Sequence, residues 1–335
     1  MNRSMRVVGL IALACAAALV SLSACGSSAA AGPPPLVLER TIPLPGVSGR
    51  IDHMAIDQDG RRLFVAELGD GSVEAVDLTT GRTAGRIGGL EEPQGLGYVP
   101  QTGELAVATG GDGMLRFYRA ADLRPVAALK LGDDADDIRV APRTGELFVA
   151  FGKALAVIDP IHHSVVRTVP LPAHPEGFQV EGDRAYVNVP GAAGIAVLDL
   201  ARGRQVARWR NRGPQLNFPM AIGRDGRDLA VIYRLPARLV IFRASTGQVE
   251  QRLSTCGDAD DLFFNRQGDR LYAICGAGAV DVFDRLRTGY AQARDIATRR
   301  GARTGLYVGR LDRLFVAARA QDGQPAAILA FRPAP

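Results

Sequence analysis

The sequence lacks the short motifs that mark several enzyme classes. It contains no HExxH, no metal-type pair of CxxC segments, no P-loop, no GxGxxG fingerprint and no GxSxG elbow. Their absence argues against zincin, nucleotide-binding and serine-hydrolase chemistry. Lysine is almost missing too, since only Lys130 and Lys153 are lysines among 40 basic residues. Apolar residues are plentiful: 47% of the 335 residues are hydrophobic and 22% are charged, which excludes intrinsic disorder.

Cysteine is scarce, and two of the four cysteines lie near the N-terminus. Residues 1–24 have the pattern of a secretory signal, with Arg3 and Arg6 before an apolar run from residue 7 to residue 20. That run is shorter than the roughly 20 residues of a membrane-spanning helix. It ends in Leu-Ser-Ala-Cys at residues 22–25, which resembles the bacterial lipobox. We therefore predict a lipid-anchored protein acylated at Cys25; the alternative is an ordinary cleavage site followed by a chance cysteine.

The lipobox resemblance implies a location. Residues 25–35 would form a lipidated cysteine and a flexible tether rich in Gly, Ser, Ala and Pro. Gly26, rather than Asp, follows the cysteine, which favours the periplasmic face of the outer membrane if the cell is Gram-negative, and otherwise the outer face of the cell membrane. The formal net charge of +5, part of which leaves with the signal, is too small to predict nucleic-acid binding.

From residue 36 onward the sequence repeats. A short strand-like segment that ends in a charged residue occurs seven times, at intervals of 40 to 48 residues, and a second strand-like segment precedes each copy. The copies of the first segment end at Asp77, Arg119, Asp159, Asp199, Arg243, Asp284 and Arg332. A period of 40–45 residues with about four strands per unit is typical of propellers. The sequence therefore predicts an all-β, seven-bladed β-propeller over residues 36–335.

The two ends of the chain predict how the ring closes. Residues 40–45 read Arg-Thr-Ile-Pro-Leu-Pro, and residues 167–172, in the outer strand of the third blade, read Arg-Thr-Val-Pro-Leu-Pro. The chain ends just after the third strand of its last blade. An unclosed ring would leave two sheet edges unpaired. We therefore expect the N-terminal segment to supply the missing outer strand of the seventh blade.

These repeats resemble the YVTN-type, YncE-like propellers of bacterial envelopes. The nearest local match is Tyr-Val-Asn-Val at residues 186–189, and the other copies depart from the Tyr-Val-Thr-Asn tetrad. The resemblance covers about residues 36–335. The resemblance implies an envelope propeller, but it indicates little about function.

Candidate site residues lie in the loops that lead into the innermost strands, because these loops surround the central channel of a propeller. The candidates for ligand binding are Asp52, His53, Asp136, Asp137, His174, Glu176, Asn217, Asp260, Asp261 and Arg303. Two of the loops are near-duplicates, each ending in Ala-Asp-Asp. One interpretation is a polar, acidic channel mouth that binds a cation, an amine, a polyol or a peptide end, with Arg303 as an anion anchor. The other is turn chemistry, in which Asp and Asn bond their own backbone and are duplicated with the blades.

The remaining two cysteines can meet. Cys256 lies in the loop before the sixth inner strand, and Cys275 ends the second strand of the same blade, which returns to the same side. An exported protein can keep a disulfide. We expect a structural bridge between them, with two free thiols as the alternative.

The sequence suggests two alternative functions of different class. The first is a binding or scaffolding propeller whose mouth takes a small ligand, a cation or an envelope protein. The second is a metal-assisted hydrolase resembling propeller lactonases, with Ca²⁺ or Mg²⁺ held by Glu176, Asn217 and Asp260 and with Asp52 or His53 as base. That second reading rests on fold-level analogy. A quinoprotein dehydrogenase is disfavoured, because the lone Trp209 cannot supply the docking tryptophans of seven blades.

Overall fold

The structure is a computed structural model that describes residues 33–141 and 144–334. The predicted signal peptide, Cys25 and most of the predicted tether lie outside the described residues. The regular secondary structure of the described residues is all β-strand, apart from two short 3-10 turns at Leu68–Asp70 and Pro190–Ala192. No helix within the described ranges is long and apolar enough to cross a membrane.

Twenty-eight strands form seven antiparallel sheets of four. Blade 1 contains β2 (Met54–Ile56), β3 (Arg62–Glu67), β4 (Ser72–Asp77) and β5 (Arg82–Ile87). Blade 2 contains β6 (Pro93–Val99), β7 (Glu104–Thr109), β8 (Met114–Arg119) and β9 (Pro125–Lys130). Blade 3 contains β10 (Ala135–Val140), β11 (Leu147–Phe151), β12 (Ala154–Asp159) and β13 (Ser164–Pro170). Blade 4 contains β14 (Phe178–Glu181), β15 (Arg184–Val189), β16 (Gly194–Asp199) and β17 (Arg204–Arg210).

The remaining three sheets repeat this order. Blade 5 contains β18 (Gln215–Ile222), β19 (Asp228–Leu235), β20 (Ala237–Arg243) and β21 (Gln248–Ser254). Blade 6 contains β22 (Ala259–Phe264), β23 (Arg270–Cys275), β24 (Ala279–Leu286) and β25 (Gly289–Ala297). Blade 7 contains β26 (Gly305–Val308), β27 (Arg313–Ala318), β28 (Ala327–Pro333) and β1 (Leu36–Pro43). The predicted seven-bladed propeller is therefore confirmed, and every repeated segment ending in a charged residue is the third strand of its blade.

The ring closes as the sequence predicts. β1 pairs antiparallel with β28 as the outer strand of blade 7, with Ile42 opposite Ile328. The first strands of successive blades contact one another in the cyclic order β2, β6, β10, β14, β18, β22, β26 and back to β2. These first strands therefore line the central channel.

Burial explains why the second and third strands carry the apolar repeats. β3 and β7, for example, are buried along nearly their whole length, whereas the outer strands β5 and β9 are largely exposed. Each blade packs both faces against its neighbours, so consecutive residues, rather than alternate ones, are apolar. Seven hydrophobic clusters result, one between each pair of neighbouring blades. A fully buried Leu, Ile or Phe in them contributes about 1.5–3 kcal/mol.

Candidate functional site

The loops that lead into the inner strands surround a cavity of about 280 Å³ at one end of the channel. We call it the central cavity. Nine of the ten predicted ligand-binding candidates line it. The charged and polar residues of its wall are Arg50, Asp52, His53, Gln94, Asp134, Asp136, Asp137, Arg139, His174, Glu176, Arg234, Asp260, Asp261 and Arg303. Seven of these are carboxylates and four are arginines.

β-Bulges at the start of the inner strands bring consecutive residues to this wall. The register of β10 against β11 shifts between Ala135 and Ile138, and that of β22 against β23 shifts between Ala259 and Asp261. β6 and β18 have a shift at the equivalent place. Successive side chains of a regular strand point to opposite faces, and a bulge breaks that alternation. Both aspartates of each Ala-Asp-Asp segment can therefore line the cavity.

The two Ala-Asp-Asp segments have the same burial pattern. The first aspartate, Asp136 or Asp260, is half-buried and the second, Asp137 or Asp261, is buried. The tight backbone turn falls two residues earlier, at Asp134 and Asp258, where φ is +51° and +58°. Turn chemistry thus explains the earlier aspartate of each loop. It does not explain the pair that follows.

Asp260 is surrounded by arginines. Arg234 Nη2 donates to Asp260 Oδ1 at 2.5 Å, and Arg303 Nε lies 2.9 Å from Oδ2. Arg50 Nη2 lies 3.9 Å from the same Oδ2. The guanidinium of Arg234 also stacks over the ring of Phe218, with Cζ 3.7 Å from the ring centroid. Arg303, proposed as an anion anchor, is therefore engaged by Asp260 and, at 3.2 Å, by Asp258.

His53 lies between two buried carboxylates. Its Nδ1 is 3.6 Å from Asp261 Oδ2 and its Nε2 is 3.7 Å from Asp52 Oδ1. Burial acts to lower the pKa of His53, but Asp261, Asp52 and Asp137 outweigh it, so the pKa lies well above its ordinary value. Burial raises the pKa of Asp52 and of Asp261, and the charge of His53 opposes that rise. The three groups therefore form one electrostatic unit, in which the two carboxylates favour the protonated form of the imidazole.

Asp136 and Glu176 are the uncompensated acids of the wall. Neither carboxylate has a hydrogen bond or an ion pair with any residue in the described part of the chain. Burial, followed by the charges of Asp52, Asp137 and Glu176, raises the pKa of Asp136 well above its ordinary value, against the charge of His53. Burial, followed by the charge of Asp260, raises the pKa of Glu176 to about 7, against the charge of Arg234.

Asp137 carries an unsatisfied oxygen. One of its carboxylate oxygens, Oδ1, accepts from Arg139, whose guanidinium lies 5.5 Å from the ring centroid of Phe178. The other oxygen, Oδ2, is buried and has no hydrogen-bond partner among the described residues. Asp137 is only 2% exposed. Buried polar atoms in folded proteins nearly always have a partner, so this oxygen calls for one.

Asn217, unlike the other nine candidates, does not line the cavity. Its side chain is fully buried, with Nδ2 donating to Asn188 Oδ1 at 2.6 Å and to the Gly194 carbonyl at 3.0 Å, while Oδ1 accepts from Asn211. These bonds hold blades 4 and 5 together. Glu176, Asn217 and Asp260 are consequently not assembled as a set of three ligands. No group of three or more His, Cys, Asp or Glu side chains in residues 33–141 and 144–334 has the arrangement of a metal site.

Several wall residues escaped the sequence analysis. Arg50 and Arg139 lie two residues from a predicted aspartate, so their proximity in sequence was an available signal. Arg234 lies at the end of β19, a second strand, and reaches Asp260 from the neighbouring blade. Gln94, in β6, donates to Asp134, which directly precedes β10, at 3.2 Å. Second strands are buried core strands, so the sequence gives no signal that a charged residue at the end of one reaches the channel.

The structure contains the disulfide that was expected from the sequence. Cys256 and Cys275 form a disulfide with Cα atoms 5.8 Å apart. The bridge joins the loop before β22 to the end of β23. The same loop is also held by Asp281, which accepts from the Cys256 backbone N–H at 2.8 Å.

Comparisons with known proteins are informative about the fold. A structure of hydrazine synthase from Kuenenia stuttgartiensis is 17% identical and matches 86% of this chain and 96% of that chain, with a TM-score of 0.75. A structure of the WD40 repeats of RRP9 is 10% identical and matches 88% of this chain and 97% of that chain, with a TM-score of 0.76. No family model and no curated protein matches the sequence. Likeness at this level of identity shows the propeller fold and nothing finer.

Proposed function

We propose that this protein is a binding propeller whose central cavity takes a small, positively charged ligand such as an amine or a guanidinium. The observation that carries the proposal is the pair Asp136 and Glu176, two carboxylates that line the cavity without any partner among the described residues. A propeller suits such a role, because rigid blades hold loops in place around a channel.

The charge balance of the wall favours a cation over an anion. Seven carboxylates face four arginines, and the arginines are already paired within the wall. Arg234 and Arg303 bind Asp260, Arg139 binds Asp137, and Arg50 lies 2.9 Å from Asp52. With His53 counted as a cation, carboxyl groups still outnumber cationic groups, seven to five. Asp136 and Glu176 are carboxyl groups whose pKa is raised, and a cation bound beside them would favour their ionised forms. A cation would satisfy Asp136, Glu176 and the unpartnered Asp137 Oδ2 together.

The volume limits the ligand. An engineered protein cavity of about 150 Å³ accommodates benzene. At about 280 Å³, the central cavity has room for a small organic cation with a few water molecules, or for the end of a peptide. The walls are polar, so direct and water-mediated hydrogen bonds would both contribute.

Calorimetric titration of the purified protein with methylammonium, guanidinium and putrescine at low salt tests the proposal. Glu176→Gln and Asp136→Asn should each weaken binding about tenfold or more, because each removes a carboxyl group that can ionise beside the bound cation. Glu181→Gln and Asp133→Asn are matched controls, since both residues are exposed and lie in the same blades. Equal affinity in the cavity variants and their controls, or no binding of any of the three cations, would reject the proposal.

A hydrolase is the second candidate, and Glu176 is the observation that favours it. A carboxyl group with a pKa of about 7 in a cavity can exchange protons at neutral pH. Support for a Ca²⁺- or Mg²⁺-dependent reaction is weaker, because Asn217 is engaged by Asn188. Turnover of a panel of lactones and esters, with metal content measured on the same sample, tests it. Activity that is lost in Glu176→Ala and retained in Glu181→Ala would establish the enzyme.

We further propose export and lipid attachment at Cys25, in keeping with a YncE-like envelope propeller. Support comes from the sequence of residues 1–35 and from the Tyr-Val-Asn-Val segment, which lies in β15. Expression in a Gram-negative host, followed by detergent phase partitioning, tests the anchor. Cys25→Ser should move the protein to the aqueous phase, whereas Cys15→Ser, inside the predicted signal, should not. Identical partitioning of the two variants would refute lipidation at Cys25.

A further inference from the structure

A second cavity lies between blades 4 and 5 and shares no wall residue with the central cavity. Its volume is about 200 Å³. One side is formed by Trp209 at the end of β17 and by the loop that follows, and the other by β19, β20 and β21 of blade 5. We call it the inter-blade cavity. It plays no part in the proposed function above.

Aromatic rings form its apolar wall. The rings of Trp209 and Phe242 are stacked at 24° with centroids 6.0 Å apart. Tyr233 is buried, and its hydroxyl donates to Asn211 Oδ1 at 2.9 Å, so the ring is held in place. Gly247 has a φ of +75°, and a Cβ there would lie 2.4 Å from the indole of Trp209. The glycine therefore lets the backbone of blade 5 lie against the tryptophan.

The charge of the inter-blade cavity is opposite to that of the central cavity. Arg210, Arg212 and Arg252 line it, and no carboxylate does so among the described residues. None of the three guanidiniums forms an ion pair with a residue in the ranges 33–141 and 144–334, whereas all four arginines of the central cavity do. Unpaired guanidiniums beside an apolar wall are available to bind an anion.

The position of Arg252 is set by strand register. Arg252 lies opposite Val240 in the β20–β21 pair, and Val249 lies opposite Phe242. Paired residues share a face of the sheet, so Arg252 extends over the same face as Val240 and Phe242. Its charge also acts on Tyr233: burial raises the pKa of that phenol, and Arg252 opposes the rise. The strand register thus places Arg252 on the face that carries the aromatic wall.

We propose that the inter-blade cavity binds a small anion attached to a single aromatic ring, such as an aryl phosphate, sulfonate or carboxylate. The ring packs against Trp209 and Phe242, and the anionic group bonds Arg252 and Arg212. The volume fits this class, because benzene occupies an engineered cavity of about 150 Å³ and the additional space accommodates the anionic group. A planar guanidinium offers two parallel N–H donors to such an oxyanion.

Trp209 is the protein's only tryptophan and lines the inter-blade cavity, so tryptophan fluorescence reports on binding at this cavity. Phenyl phosphate is titrated into the purified protein while Trp209 fluorescence is recorded, with calorimetry on the same samples. We expect a saturable fluorescence change, and about tenfold weaker binding for Arg252→Gln and for Arg212→Gln. Arg208→Gln is the matched control, because Arg208 is exposed on the same strand as Trp209 and does not line the cavity. Its affinity should equal that of the wild type.

Two further ligands separate the parts of the proposal. Phenol and inorganic phosphate should each bind at least tenfold more weakly than phenyl phosphate. The proposal is overturned if phenyl phosphate gives neither a saturable fluorescence change nor heat. It is also overturned if Arg252→Gln and Arg212→Gln bind like Arg208→Gln, or if either partial ligand binds as tightly as phenyl phosphate. Because Glu176→Gln leaves this cavity untouched, failure here and failure of the central-cavity proposal are distinguishable.

Discussion

Asp261 Oδ2 accepts a hydrogen bond from the backbone N–H of Gly305 at 2.8 Å, and so ties the inner strand of blade 6 to that of blade 7. The same oxygen lies 3.6 Å from Nδ1 of His53, which precedes the inner strand of blade 1. One buried carboxylate therefore connects three blades at the channel. Gly305 is required at this contact, because a Cβ there would lie 2.6 Å from the Phe315 carbonyl oxygen.

The first prediction concerns the charge of that carboxylate. Asp261→Asn keeps an oxygen that can accept from Gly305 and removes the negative charge beside His53. The pKa of His53 should fall, because the Asp261 carboxylate that favours the protonated imidazole is replaced by a neutral amide. NMR titration of the His53 ring protons measures it, with Asp133→Asn as the control. An unchanged His53 pKa would show that the charge of Asp261 does not stabilise the protonated imidazole of His53.

The second prediction is a pH dependence of stability caused by Glu176. Its pKa is raised to about 7 in the folded protein, so folding favours the protonated form. The resulting contribution is fully present below the ordinary carboxyl pKa of about 4.3 and is lost as the pH rises to about 7. Glu176→Gln should remove this decline. The loss of unfolding free energy between pH 5 and pH 8 should then be smaller by about 1–3 kcal/mol.

Urea unfolding of wild type, Glu176→Gln and Glu181→Gln at both pH values checks this expectation. Glu181 is exposed, so Glu181→Gln should show the same pH dependence of stability as the wild type. If Glu176→Gln shows the wild-type decline, Glu176 is not the group responsible for it.

The third prediction concerns the disulfide. Cys256 and Cys275 are 19 residues apart, and closing a loop of that length restricts the unfolded chain by about 3 kcal/mol. Replacement of both by serine should lower the melting temperature by several degrees. Reduction of the wild-type protein should lower it by a similar amount, and reduction of the double variant should have no effect. Detection of two free thiols in the folded, unreduced protein would contradict the bridge.

The fourth prediction tests the closure of the ring. A chain that begins at Leu44 lacks β1 and exposes the edge of β28, whereas a chain that begins at Leu36 keeps the pairing. Leu36 and Ile42 are each only 2% exposed, so the shorter chain also opens two apolar clusters. It should be less stable and should associate through the free edge. Light scattering after size-exclusion chromatography compares the two chains.

A peptide of residues 34–43 provides the control for that experiment. Added in excess, it should occupy the vacant edge and restore the monomer and much of the lost melting temperature. A stable, monomeric chain beginning at Leu44, with no response to the peptide, would show that β1 is dispensable for closure.

The propeller could be predicted because its information is local and repeated. Seven strands with an apolar run and a charged end, such as those ending at Asp77 and Asp159, mark the third strand of each blade. The Arg-Thr-Ile-Pro-Leu-Pro segment shares its sequence with an outer strand because it occupies an outer-strand position, and the structure places it there. The third-strand pattern recurs because every blade gives its third strand the same buried environment.

The residues of the central cavity were only partly predictable. Sequence position alone was enough to predict that Asp52, Asp136, Glu176 and Asp260 lie where the chain enters the inner strands. It did not distinguish Asn217, which occupies the equivalent loop but bonds Asn188 and Gly194 instead of facing the cavity. The direction of a side chain at a bulge depends on which neighbouring group can satisfy it, and that neighbour belongs to another blade.

The number of blades, the strand order and the pairing of the two chain ends could all be predicted from the sequence, because burial between blades imposes one repeated pattern on the residues. The tertiary structure alone decided which charges are compensated. Arg234 reaches Asp260 from 26 residues away, whereas Asp136 and Glu176 receive no such partner among the described residues. Coulomb energies and hydrogen bonds depend on distances of a few ångströms between blades, and no local pattern along the chain encodes those distances.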